Sequence, residues 1–165
     1  MKKFVLGLAA VIAIGGAALL WQQQGVAKTA PDVVFTDLQG HAVTTQDLRG
    51  KVVLVKFWAT SCTTCIAQMP DTIRHYQELK AQGFDTIGVA MQYDPPNYVK
   101  NYAETRQLPF PVVIDAQGKL AKAFGDVRLT PTAFLIDKQG NIIKRYLGNY
   151  DEQAFLATVE KALAS

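Results

Sequence analysis

The chain has 165 residues, 49% hydrophobic and 19% charged, with 17 Lys and Arg against 14 Asp and Glu. That is room for one soluble domain plus a short extra segment. Two of the cations are Lys2 and Lys3, so the rest is nearly neutral; no basic stripe points to nucleic acid and no acidic tail to disorder.

Phe4 to Trp21 carries no charge and follows two lysines. A bilayer span needs roughly 20 apolar residues, and a secretory apolar region is usually about 7–15. The length favours an uncleaved anchor over residues 1–21, ended by an interfacial Trp21. Its rival is a cleaved signal peptide, with small residues in Gly25-Val26-Ala27. The lysines predict a cytoplasmic N-terminus and an exported domain. No cysteine lies near the run, which excludes lipid anchoring through one. Residues 22–31 read as a polar linker and 32–165 as the domain.

Val33 to Val43 reads as a hairpin turning at Gln39-Gly40. Val52 to Trp58 is an apolar run suited to a central strand buried on both faces. A helix follows from Cys62, with Ile66, Met69, Ile73 and Tyr76 on its inner face and a kink at Pro70. Gly83 ends it. Phe84 to Met91 is the next strand. Pro95-Pro96 opens a helix with Tyr98, Val99 and Tyr102 inward. Pro111 to Asp115 is a short strand and Leu120 to Phe124 a short helical piece. Thr132 to Asp137 and Asn141 to Leu147 form a hairpin. Asp151 caps a last helix that buries Phe155, Leu156, Val159 and Leu163. Crossovers plus hairpins predict a three-layer α/β domain with a mixed central sheet and helices on both faces.

Cys62 and Cys65 are the only two cysteines. Set at a helix start, they form a Cys-x-x-Cys pair. The free N–H groups and dipole there favour a thiolate at Cys62, and Cys65, one turn further in, would resolve a mixed disulfide. A static disulfide and half a zinc site are the bland readings. Zinc would have to recruit His41 and His75, whose spacing does not suit it. Those histidines read as surface or capping residues, and Met69 and Ile73 as plain core. Pro131, taken alone, reads as a trans strand starter.

Several segments together resemble a known family. They are Phe57-Trp58-Ala59-Thr60-Ser61-Cys62-Thr63-Thr64-Cys65, Met69-Pro70, Phe110 to Asp115, Thr130-Pro131-Thr132 and Thr132 to Asp137. The order resembles the thioredoxin fold. More closely, it is similar to the membrane-anchored extracytoplasmic thioredoxins of the TlpA/ResA type, over roughly residues 32–164. The resemblance implies a Cys62–Cys65 disulfide that opens and closes and a cis Thr130-Pro131 bond beside it. It implies that Thr130 pairs with an extended substrate segment and that Pro131 keeps stray metal from the pair. Trp58 is expected as both core and active-site wall.

The resemblance also implies a thiol:disulfide oxidoreductase working as a reductase on exported proteins, such as apocytochrome c or copper-assembly proteins. It implies a DsbD- or CcdA-type membrane donor, a seat in the inner membrane through residues 4–21, and neither metal nor cofactor. Three positions depart from the pattern. Gln68 stands where a glutamate is common, so a Glu-assisted proton step is in doubt. Lys56 replaces a buried acid. It is read either as a cation that lowers a thiol pKa or as a buried stem whose ammonium reaches water. Thr63 and Thr64 replace the usual dipeptide and offer hydroxyls to a thiolate. Two rivals remain. A thiol peroxidase needs a Pro-x-x-x-Thr-x-x-Cys loop, but residues 54–62 hold no proline. A copper chaperone usually has a Cys-x-x-x-Cys pair and a downstream histidine, but no histidine follows His75.

Overall fold

The computed structural model describes residues 28–165, so the expected anchor at 1–21 and the linker positions 22–27 lie outside the described residues. The central strand is β4 (Val52–Trp58), buried at every position. It runs parallel to β5 (Phe84–Ala90) and antiparallel to β7 (Thr132–Ile136). The full sheet is ordered β1-β8-β7-β4-β5-β6, with β1 at Lys28–Thr29, β6 at Val112–Ile114 and β8 at Asn141–Leu147. It is mixed, because parallel crossovers reach β5 and β6 while a hairpin joins β7 to β8. Strand β1 falls inside the expected linker. Only two residues long, it exists by pairing with β8, a signal no local pattern carries.

Alternate residues of β4 point to opposite faces. Val53, Val55 and Phe57 pack with Phe124, Phe134 and Phe35. That face is covered by helix α4 (Lys119–Ala123) and by the antiparallel pair β2 (Val34–Thr36) and β3 (Ala42–Thr44). The opposite face carries α1 (Thr63–Ala67), α2 (Met69–Leu79), α3 (Pro96–Thr105) and α5 (Glu152–Leu163). Two apolar clusters sit there. Val52 and Leu54 join Phe155 and Val159, whereas Trp58 joins Cys65, Met69 and Val99.

The helix expected to kink at Pro70 is interrupted at Gln68. α1 and α2 meet at Gln68, and Pro70 lies in the first turn of α2, where its missing N–H breaks no bond that the helix needs. The amide N–H of Gln68 still reaches the Thr64 carbonyl and that of Thr72 the Gln68 carbonyl, so helical hydrogen bonding continues through the joint. α5 begins at Asp151, whose carboxylate accepts the Ala154 N–H at 2.7 Å. Two expected orientations are corrected. Tyr98 is 60% exposed, because α3 packs through Val99 and Tyr102 on a neighbouring stripe. His75 is buried rather than surface, because the start of α5 covers it: its Nε2 lies 2.8 Å from Glu152 Oε1 and its ring 5.3 Å from that of Phe155.

Candidate active site at the end of the central strand

β4 delivers the chain into Ala59–Ser61 and then into α1. Cys62 is the N-cap of α1, with extended backbone, and its Sγ accepts the Cys65 N–H at 3.2 Å. That N–H is one of the donors a helix start leaves unpaired, so the first sulfur sits where the helix stabilises negative charge. Cys62 is half-buried and Cys65 fully buried. The two are joined as a disulfide with Cα atoms 5.2 Å apart. Among the described residues the donor to Cys62 Sγ is this backbone N–H and not a hydroxyl of Thr63 or Thr64. Thr63 is exposed and Thr64 half-buried.

The loop before Cys62 is held from the side. Asp94, buried after β5, accepts the Thr60 N–H at 2.6 Å and the Thr60 hydroxyl at 2.5 Å. Sequence reasoning missed this residue. The only signal was an acid set among apolar and proline residues.

The register Thr132 opposite Phe57 brings Thr130-Pro131 to the end of the sheet where β4 enters the cysteine loop. The Thr130-Pro131 bond is cis. Pro131 is buried and its carbonyl accepts the Gly148 N–H at 2.9 Å. Thr130 is half-buried, with its hydroxyl 3.2 Å from the exposed Tyr93. Leu129 beside it is 64% exposed, so apolar surface flanks the loop.

Trp58 is fully buried in the cluster that holds Cys65, with its ring centroid 5.3 Å from that of Tyr102. Trp58 is thus both core and a wall behind the pair.

One of the two sequence readings of Lys56, the buried stem whose ammonium reaches water, is overturned. The residue is 1% exposed, so its ammonium does not reach water. Its Nζ donates to Gln68 Oε1 and to Thr72 Oγ1, each at 3.0 Å, and stands 5.9 Å from the ring centre of Tyr150. Gln68 is fixed in that orientation because its Nε2 donates to Gly148 O at 3.2 Å and Asn149 Oδ1 at 3.1 Å. Thr72 spends its own proton on Gln68 O at 2.9 Å, leaving a lone pair for the lysine. The cage is therefore built of uncharged groups. Burial pulls the lysine down from its ordinary 10.5 to about 8, opposed by the charge of Asp71. Burial likewise pushes the Tyr150 hydroxyl up to about 12.

The expected bystanders lie elsewhere. His41 is exposed and its Nδ1 lies 3.1 Å from Asp37 in the β2–β3 loop. Among the described residues no group of three or more His, Cys, Asp or Glu is placed to hold a metal ion.

A family model described as Redoxin matches residues 25–163. The Thiol-disulfide oxidoreductase ResA of Geobacillus kaustophilus is 42% identical over 99 residues, 60% of this chain and 56% of that protein. The chain thus spans little more than half the length of that relative. The ResA of Halalkalibacterium halodurans is 36% identical over 124 residues, covering 75% of this chain and 69% of its own. Among solved structures, a thiol:disulfide interchange protein of the thioredoxin family from Chlorobium tepidum superposes with a TM-score of 0.76 at 29% identity, over 85% of this chain and 99% of that one. An exposed lipoprotein thioredoxin of Streptococcus pneumoniae gives 0.69 at 30% identity, over 79% and 98%.

Proposed function

The chain belongs to the Redoxin family, and on that footing we propose that it is a thiol–disulfide oxidoreductase reducing disulfide bonds of exported proteins. One observation carries the reading. The two sulfurs differ in setting: Cys62 is half-exposed on the N-terminus of α1 and Cys65 is sealed behind it. Such a pair has a nucleophile that meets substrate and a partner that meets only the nucleophile.

In the reduced state the Cys62 thiolate attacks one sulfur of a substrate disulfide. A Cys62–substrate bond forms, the substrate S–S bond breaks, and the released sulfur takes up a proton. Cys65 then gives up its proton and attacks Cys62 Sγ. The Cys62–Cys65 bond forms and the second substrate sulfur leaves as a thiol. Two electrons have passed to the substrate and the pair is oxidised, as the structure holds it. The Thr130-Pro131 loop offers the backbone on which an extended substrate segment aligns, with Tyr93 and Leu129 as its apolar flanks.

The finer parts of the reading rest on the sequence. Residues 4–21 anchor the chain in the inner membrane, with the domain on the periplasmic side. Among the described residues no helix is long and apolar enough to cross a membrane, and that segment lies outside them. Substrates are disulfides of proteins exported for cytochrome c or copper-site assembly. A DsbD- or CcdA-type membrane donor restores the dithiol, because an oxidising compartment does not. The test is the equilibrium potential of the Cys62–Cys65 couple against glutathione, beside reduction of insulin. A value near about −270 mV with rapid insulin reduction is expected; one near −120 mV would make the protein an oxidant instead.

A further inference from the structure

Lys56 is a buried cation at this site that the exchange steps above leave unused. It lies on the face of β4 between Leu54, which belongs to the cluster around Phe155, and Trp58, which belongs to the cluster around Cys65. A lysine there fills a seam that two apolar clusters leave between them. Its two acceptors, Gln68 and Thr72, stand three and seven residues after Cys65. In a continuous helix that spacing is one face, so the face that seals the second cysteine also holds the amine.

The other groups facing Lys56 do not supply a countercharge. Opposite it on β5 and β7 are Gly88 and Ala133. From α2, Asp71 acts from the surface, where it is paired with Arg74. After β8, Tyr150 presents its ring, and its hydroxyl stays neutral because burial raises it. From α5, the Glu152 carboxylate is engaged by Arg74 and His75. From α1, the charge that can appear is a thiolate of the pair itself.

We propose that Lys56 is a positioning residue for the redox pair: a proton carrier whose charge is linked to the redox state of Cys62 and Cys65 through the helix face shared by Cys65, Gln68 and Thr72. The proposal rests on the reading of the pair as an exchanging dithiol. When a dithiol donor reduces the disulfide, the donor's own S–S bond forms and the Cys62–Cys65 bond breaks. The donor releases two electrons and two protons. Both electrons go to the pair. One proton stays on Cys65; above the Lys56 midpoint the other goes to the neutral amine, and below it, where Lys56 already carries its proton, the other goes to solvent, and in both cases Cys62 is left as the thiolate that attacks substrate. In the oxidised state no thiolate compensates the ammonium and the proton is released more readily. The linkage is reciprocal: a charged Lys56 favours the thiolate as much as the thiolate favours the charge. The two therefore titrate as a coupled pair.

The test follows the Lys56 side-chain NMR resonances of the full chain across neutral to alkaline pH, in the oxidised protein and after reduction by dithiothreitol. A unit charge roughly 10 Å away, in surroundings of effective dielectric about 20, moves a titration by about 1 pH unit. The Lys56 midpoint is expected to be higher by about that amount in the reduced protein. In Lys56→Met the Cys62 thiolate absorbance should titrate higher by a similar shift, and the potential of the couple should lose its change of slope at the lysine midpoint. Gln68→Glu places a carboxylate against Nζ. It should raise the lysine midpoint in both states and move that change of slope to higher pH. A pair that reduces reversibly while the lysine midpoint stays fixed overturns the linkage and leaves the oxidoreductase reading standing. A pair that does not reduce reversibly sinks both.

Discussion

Replacing Lys56 by methionine should stabilise the oxidised protein at pH 7 and cease to do so near pH 10. Methionine keeps the length of the side chain and removes its charge. The folded-state ammonium titrates at about 8 and the free side chain at 10.5, because burial penalises the charged form. Between those values the unfolded chain holds a proton that the folded chain has lost, so stability rises with pH across that window. Below about pH 8 both states carry the proton, and a gap of about 2.5 pH units costs the fold about 3 kcal/mol. Near pH 10 most of that cost is gone, with about 1 kcal/mol left. Methionine removes the cost at every pH. It also leaves Gln68 Oε1 without its donor, a loss of about 1–3 kcal/mol for a buried acceptor. Thr72 keeps its bond to the Gln68 carbonyl. The net effect is a gain of about 0–2 kcal/mol at pH 7 and a loss of about 0–2 kcal/mol at pH 10.

The difference between the two pH values is the sharper quantity, because the Gln68 penalty is common to both and cancels. It amounts to about 2–3 kcal/mol. Urea unfolding of the wild-type and substituted proteins, both oxidised and at both pH values, measures it directly. Oxidised protein has no free thiols to titrate. The tyrosines are the same in both proteins. A substitution whose effect is the same at pH 7 and pH 10 would refute the account of a charged, uncompensated lysine.

Cys62 should alkylate far faster than Cys65 in the reduced protein, because it is only half-buried and set on the helix N-terminus while Cys65 is sealed behind it. Iodoacetamide with peptide mass mapping reads this, and Cys65→Ser should trap mixed disulfides that Cys62→Ser does not; faster labelling of Cys65 would reverse the roles. Asp94→Ala strips Thr60 of two charge-assisted bonds and should cost about 2–3 kcal/mol in urea unfolding while slowing disulfide exchange. Unaltered exchange would show that the loop before Cys62 is held by something else. Gly118→Ala should lower stability by about 1–3 kcal/mol, since the backbone there has φ +67° and a Cβ would lie 2.4 Å from Gln92 Oε1. Combining it with Gln92→Ala should recover only the part due to contact, and full recovery would argue against backbone strain.

Strand β4 and the cysteine pair were legible because each is a local pattern. A strand buried on both faces reads as an uninterrupted apolar run, and a pair of cysteines two residues apart at a helix start is visible without any partner. Element ends shifted by about a residue, as with β5, which stops at Ala90 rather than Met91. What stayed hidden depends on chain segments far apart. Neither reading of Lys56 could include its cage, because nothing near it in sequence announces Gln68, Thr72 or Tyr150. His75 sits in a polar-looking stretch of α2, and only α5 packing over it, with Glu152 and Phe155, makes it buried. Asp94 serves a loop thirty-four positions before it. Trp58 keeps its expected place beside the pair, and α3 closes over it through Tyr102.

The lysine makes the larger point about this site. For packing alone, an apolar side chain of the same length would join the Leu54 and Trp58 clusters into one and cost nothing in charge. The chain instead holds an ammonium in a cage of an amide, a hydroxyl and an aromatic ring, and orients the amide with two further bonds from Gly148 and Asn149. A cage of that kind tolerates the cation without neutralising it, so the site lacks one negative charge in its oxidised form. Reduction of the neighbouring pair supplies a negative charge. Desolvation sets the stability lost by burying Lys56 in the oxidised protein, and the attraction between lysine and thiolate, equal in both directions, offsets part of that loss once the pair is reduced.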